Sequence, residues 1–172
     1  DAARPISMSL RSYIQTVSDE LAHPSPYRRT YAIEDAANER HIGNVMYYNY
    51  DQNRREAEIG ISIGEREYWE AGYGSDALKA LLAALFEGGH LARLYLHTLD
   101  WNVRAQRAFR RAGFQDCGVS WRDGRTFVVM EAWAQRIRDE GPGAWTLLQA
   151  GGQVLDGDPV VARHRDRARH AV

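Results

Sequence analysis

The sequence predicts a mixed α/β domain in which a mostly antiparallel sheet is flanked by helices. Three observations carry this. Segments of alternating character between Arg28 and Gly64 are joined by short polar turns, the pattern of an antiparallel meander. A glycine-rich stretch, Glu70-Ala71-Gly72-Tyr73-Gly74-Ser75-Asp76, then leads from a strand into a helix with an apolar stripe. A further strand follows that helix, and a strand–helix–strand unit of this length implies a parallel, right-handed crossover.

The chain of 172 residues suits one domain with an appendage, and its 44% apolar content suffices for a packed core. A formal net charge of -1 gives no global field that would favour nucleic acid or a membrane surface. The single cysteine, Cys117, excludes an internal disulfide framework and fits a reducing, cytoplasmic compartment. It reads as a small buried side chain rather than a nucleophile. No run reaches the length of a spanning helix, no apolar signal segment opens the chain, and no metal-ligand pattern stands out.

In order, Ser7 to about Ala22 places Met8, Leu10, Ile14, Val17 and Leu21 on one helical stripe, which His23-Pro24-Ser25-Pro26 stops. Strands are expected over Arg28–Glu34, His41–Tyr50 and Glu56–Gly64, with polar turns between them. In the third, Ile59, Ile61 and Ile63 face a core, while Gly60, Ser62 and Gly64 strip the other face of bulk. A neighbouring helix or an extended ligand can use that space. The helix over Ala77–Phe86 carries Leu78, Leu81, Leu82 and Leu85 on one stripe, has Asp76 at its positive end and stops at Gly88-Gly89. Leu91–Leu99 is the next strand and Val103–Ala112 the next helix, with Asn102 placed to cap it. Two final strands, Phe114–Trp121 and Thr126–Trp133, meet at a hairpin marked by Asp123-Gly124. Beyond Trp133 a short helix over Ala134–Glu140 and an arginine-rich tail, Arg163–His170, complete the chain. The tail reads as solvated.

The first N–H groups of a helix lack intrahelical partners, and glycines let an anion approach them. The 70–76 turn is therefore a candidate phosphate cradle as well as a plain tight connection. It is neither a Walker loop nor a dinucleotide fingerprint, because the Gly-Lys-Ser/Thr of the first and the third glycine of the second are missing.

Two stretches resemble the signatures of the GNAT superfamily of N-acetyltransferases. Trp69-Glu70-Ala71-Gly72-Tyr73-Gly74 resembles its acetyl-CoA pyrophosphate loop, with Trp69 where Arg or Gln is usual. Asn102 to Phe114 resembles the second signature, an Asn, an Ala and an aromatic before Gly-Phe. Trp69, the Gly-Tyr pair and Glu58 before Ile59-Gly60 are similar to the branch that acetylates the N-terminal amines of ribosomal proteins. The resemblance covers about Arg28 to Trp133. It implies an acetyltransferase domain over 1–133, with a C-terminal extension over 134–172. The family pattern opens with a strand before the first helix, for which residues 1–6 leave little room; it would lie outside this sequence, or residues from elsewhere in the chain would replace it.

The resemblance further implies a sheet whose two central strands splay apart, acetyl-CoA as donor, and direct attack by a primary amine without a covalent enzyme intermediate. Pyrophosphate would sit on Ala71, Gly72, Tyr73, Gly74 and Ser75. The pantetheine arm would pair with the backbone of Ile61, Ser62 and Ile63 like an added strand. Asn102 would bond that arm, or act only as a helix cap, and Arg104 or Arg107 would meet the adenosine phosphates, or simply face water. Glu58 is the candidate base, acting through water, with a plain surface carboxylate as the alternative. The family's usual acid, a tyrosine four residues before Gly-Phe, is replaced by Phe109, which has no proton to give; His97 and Tyr95 are weaker substitutes. Otherwise CoA leaves as a thiolate. Tyr47, Tyr48, Tyr50, Trp69 and Trp121 could wall an acceptor pocket, or fill a core. The acceptor is a small-molecule amine or a protein N-terminal amine, and a homodimer fits the family's habit. The competing reading is a CoA-binding sensor with little catalysis.

Overall fold

The alternating segments become strands close to their expected limits in a computed structural model that describes residues 11, 12, 15, 18, 19, 22, 23, 25–139, 162 and 163. The meander is β1 (Arg29–Asp35), β2 (Arg40–Asp51) and β3 (Glu56–Ile63). Helix α1 (Tyr73–Glu87) leads to β4 (Arg93–Leu99), and α2 (Val103–Arg111) leads to β5 (Gln115–Arg122) and β6 (Arg125–Trp133). A short α3 (Ala134–Asp139) follows, and a two-residue β7 (Ala162–Arg163) closes the described chain. Arg11, Ser12, Gln15, Ser18, Asp19 and Ala22 are helical, as the N-terminal pattern predicts; the apolar stripe from Met8 to Leu21 lies outside the described residues.

The strands form one sheet in the order β5-β6-β4-β3-β2-β1-β7. The β1–β2, β2–β3, β4–β6 and β5–β6 pairs are antiparallel; β3–β4 and β1–β7 are parallel. The place beside β1 is thus taken by Ala162–Arg163, from far along the chain; the rest of the arginine-rich tail lies outside the described residues. No helix among the described residues is long and apolar enough to cross a membrane.

One face of the sheet carries the core. Ala57, Ile59, Leu94, Leu96, Met130 and Ala132 meet Leu78, Leu81, Leu82 and Leu85 of α1 there, all buried, and Phe109 and Phe114 close the same cluster. The alternation of β3 holds: Ile61 and Ile63 pack against this core, while Ser62 and Gly64 are exposed.

Two local features differ from expectation. Helix α1 starts at Tyr73 rather than Ala77, because Gly72 at φ 101° takes the left-handed cap position and its carbonyl accepts the first helical bond, from Asp76. The second half of the glycine-rich turn is therefore the first turn of the helix. Cys117 is exposed, not buried. It lies on β5, the edge strand of the sheet, where residues 115–119 are exposed on both sides, so the usual burial of a small thiol side chain does not apply. By contrast, Asp123 and Gly124 both have positive φ, as the two-residue hairpin requires.

Candidate active site

The pairing of β3 with β4 ends early. Glu56, Ala57 and Glu58 face Arg93, Leu94 and Tyr95, and beyond Glu58 the two strands have no paired residues, although both continue. On its other side β3 pairs with β2 as far as Gly43–Ile63. The Gly64 N–H donates to the Ile42 carbonyl at 2.9 Å, which fixes the phase of that ladder. Antiparallel pairs alternate, so Ser62 and Gly60 exchange bonds with β2, and the amides of Ile61 and Ile63, past the end of the β4 pairing, point towards the gap. An edge of backbone donors and acceptors thus opens inside the sheet.

The glycine-rich loop borders this edge. A Cβ on Gly74 would lie 3.9 Å from Ile61 Cδ1 and 4.0 Å from Ile63 Cγ1, so the first turn of α1 rests on the isoleucines of β3. No side chain caps that helix. Its leading N–H groups lie beyond the reach of intrahelical acceptors, at the positive end of the dipole. The Ser75 hydroxyl donates to the Gly72 carbonyl at 2.8 Å. A Cβ on Gly72 would meet nothing within 4 Å, so the approach to the loop backbone is open there. Ala71 is exposed beside it.

Trp69 ties these parts together. Its indole Nε1 donates to the Ile63 carbonyl at 2.9 Å, so one acceptor on the gap edge is already used. The Arg104 guanidinium lies 3.6 Å from the ring centroid, which joins the start of α2 to the loop. Arg104, not Arg107, therefore reaches the loop; Arg107 is exposed one turn further along α2. Asn102 caps α2, its side chain accepting the Ala105 N–H at 3.2 Å. Gln106, buried, donates to the carbonyls of Leu99 and Asp100 and pins the turn before that cap.

At the vertex of the gap sits Glu58, 7% exposed. His97 Nδ1 is 2.8 Å from its Oε1, and the Asn49 amide donates to Oε2 at 3.1 Å. Tyr48 lies opposite Glu58 on β2, close enough for the carboxylate charge to act on its hydroxyl. Burial, followed by the Glu58 charge, pushes the Tyr48 hydroxyl up to about 12, so it stays neutral. Burial and the charges of Glu58 and Glu56 raise Tyr95 as well. On its far side, His97 Nε2 is 2.8 Å from the exposed Arg122 guanidinium.

Asn49 and Arg122 were not legible as site residues. Asn49 enters because β2 shifts register between Tyr48 and Asp51, with Asn49 at φ 53°. Asn tolerates this conformation, and the bulge aims its amide at Glu58. His97 comes from β4, two residues past the partner of Glu58 and on the same face. Phe109 is buried edge-on against Phe114, 6.1 Å between ring centroids, and belongs to the core. Of the five aromatic residues expected around an acceptor, Tyr47 and Tyr48 line a cavity of about 350 Å³ that Asn49, Met46 and Tyr27 also bound. Trp121 instead lies 74% exposed on the edge strand β5.

Residues 5–115 match the acetyltransferase (GNAT) domain. The spermine/spermidine N(1)-acetyltransferase of Bacillus subtilis is 32% identical over 96 residues, 52% of this chain and 62% of that protein. The chain thus spans about three fifths of the length of the curated relatives it matches, 62% in each case. Among solved structures, a dodecameric spermidine N-acetyltransferase from Vibrio cholerae superposes with a TM-score of 0.64 at 21% identity, over 75% of this chain and 77% of that one. The manganese complex of spermidine/spermine N-acetyltransferase from the same organism gives 0.64 at 21% identity, over 75% and 78%. These similarities point to enzymes named for polyamines and lend no support to the ribosomal-protein branch. With the split sheet, the uncapped glycine loop and this match over most of its length, the chain belongs to the GNAT acetyltransferase family.

Proposed function

We propose that the protein transfers an acetyl group from acetyl-CoA to a primary amine by direct attack. The observation that carries this reading is the gap between β3 and β4, with the Glu58 centre at its closed end and the first turn of α1 beside its open edge. The pyrophosphate would rest on the N–H groups of Gly72 to Ser75, with Ala71 at the loop's entry. The pantetheine amides would pair with the gap-facing groups of Ile61 and Ile63, on either side of Ser62. Asn102 and Arg107 would flank the arm and the adenosine phosphates, with Arg104 held at the loop. The catalytic domain would comprise residues 1–133, with 134–172 as an extension, in the cytoplasm.

The amine loses a proton to the Glu58 centre, and its nitrogen attacks the thioester carbon. The C–S bond then breaks as the oxyanion collapses. With a phenyl ring at 109, CoA leaves as a thiolate, tolerable for a thiol whose ordinary pKa is about 8.5. The acceptor class we propose is a polyamine, on the names of the curated relatives. Thiol release from acetyl-CoA, followed with spermidine, spermine and a peptide with an unblocked N-terminus, tests both statements. Either polyamine should accelerate release at least about tenfold over hydrolysis. CoA binding without acceleration by any amine would instead establish the sensor reading, which Phe109 favours.

The strand-like pairing has its own test. Ile61→Pro removes an N–H that faces the gap and leaves the β2–β3 bonds intact. The Kd for CoA, measured by calorimetry, should rise by about tenfold, the worth of a single bond near the top of the usual range. An unchanged Kd would mean that the arm does not pair with this strand.

A further inference from the structure

We infer that the proton acceptor within the Glu58 centre is Nε2 of His97, and that Glu58 is a positioning residue which fixes the tautomer of that ring. This rests on the acetyltransferase reading and names the atom that does its proton chemistry.

The tautomer follows from what each neighbour can offer. A guanidinium has only donors, so Nε2, 2.8 Å from Arg122, accepts. The imidazole is therefore neutral and its proton is on Nδ1, which donates to Glu58 Oε1 at 2.8 Å. The two side chains are 12% and 10% exposed, so this bond is shielded from water. Glu58 itself is poorly placed to take a proton from an amine. Oε1 receives His97 and Oε2 receives Asn49, so each carboxylate oxygen already has a donor. Each of these donors is held by a sheet strand at the closed end of the gap. Among the described residues the lone pair of Nε2 is engaged by the side chain of Arg122 alone, which is exposed at the β5–β6 hairpin and can swing into water.

A carboxylate behind a ring whose outer nitrogen is basic is the arrangement by which a histidine serves as a general base. In the step, R–NH3+ gives one proton to Nε2, and the resulting imidazolium is stabilised by Glu58. The amine nitrogen forms a bond to the acetyl carbon, whose π pair moves to oxygen. That pair returns as the C–S bond breaks, and the bonding electrons leave on sulfur as CoA thiolate. A second proton leaves the new amide nitrogen to water, the thiolate takes a proton from water, and the imidazolium discharges its own to solvent. One R–NH3+ and one thioester give one amide, one thiol and one released proton.

The test uses His97→Ala in the full chain, with acetyl-CoA and the best acceptor of the wild-type protein. kcat should fall by about 10²-fold or more with the Kd for CoA unchanged, and added imidazole should restore about tenfold of the loss. For Glu58→Gln, kcat should fall with little change in KM, and imidazole should restore nothing. The assignment is overturned if His97→Ala keeps kcat within about threefold of wild type, or is not rescued while its CoA affinity is intact. Nitrogen NMR of the wild-type ring does not depend on any variant folding: a bare Nε2 and a protonated Nδ1 are expected, and the opposite tautomer would sink the proposal. If no amine accelerates release by the wild type while the tautomer is as stated, it is the acetyltransferase reading that fails.

Discussion

Gly43→Ala should cost about 3 kcal/mol of stability and lower the thermal midpoint by about 10 °C, the largest effect expected of any single methyl group in this fold. A Cβ at this position would lie 2.1 Å from the Ser62 carbonyl oxygen and 3.0 Å from Ile63 Cα. Both are backbone atoms of the neighbouring strand, so no side chain can turn aside to make room. Gly43 faces Ile63 across the β2–β3 ladder, so the methyl group would have to push β3 away at the level of the gap. Differential scanning calorimetry gives the midpoint, and calorimetric titration with CoA should show weaker binding in the same variant. A midpoint within error of wild type would mean that the strands can part there without loss, and would remove the reason for a glycine.

Gly72→Val should abolish measurable CoA binding, or weaken it by about 10²-fold, for a different reason. Nothing lies within 4 Å of the position its Cβ would take, so crowding inside the protein is not the penalty. The φ of 101° is strained for any residue with a side chain, at about 1–2 kcal/mol. The isopropyl group would also stand over the amides that open α1. Gly89 supplies the control: its φ is 67°, a Cβ there also meets nothing, and it lies past the other end of the same helix. Gly89→Val should lose similar stability and keep its affinity for CoA. If both variants bind CoA like the wild type, the phosphates do not rest on this loop.

The elements of the fold were legible because each carries its own signal. The isoleucines of β3, the leucine stripe of α1 and Asp123-Gly124 each declare a local geometry, and each occurs where expected. The glycine loop was also legible, though not that Gly72 would start the helix four residues early. The catalytic centre was only half legible. Glu58 stood out by family resemblance, but its engagement with His97, 39 residues away, depends on the register of two parallel strands. Register across a crossover is set by how the helix packs, and no local pattern encodes it. Asn49 depends on a bulge, where period-two reasoning assumes the regularity that the chain breaks, and Cys117 is exposed because β5 is the edge of the sheet, a position its residue type does not declare. Gly43 is silent for a further reason: a small residue in a strand does not announce what lies across from it.

The early end of the β3–β4 pairing also divides the sheet mechanically. Among the described residues three pairs join its two wings, and the side chains of Arg93 and Glu56 at 2.7 Å and of His97 and Glu58 at 2.8 Å bridge the same seam. The second is the pair to which the chemistry is assigned. A rivet placed where the two wings of the sheet meet is thus also its working part, and selection for faster turnover and selection for a sturdier sheet must act on the same two side chains.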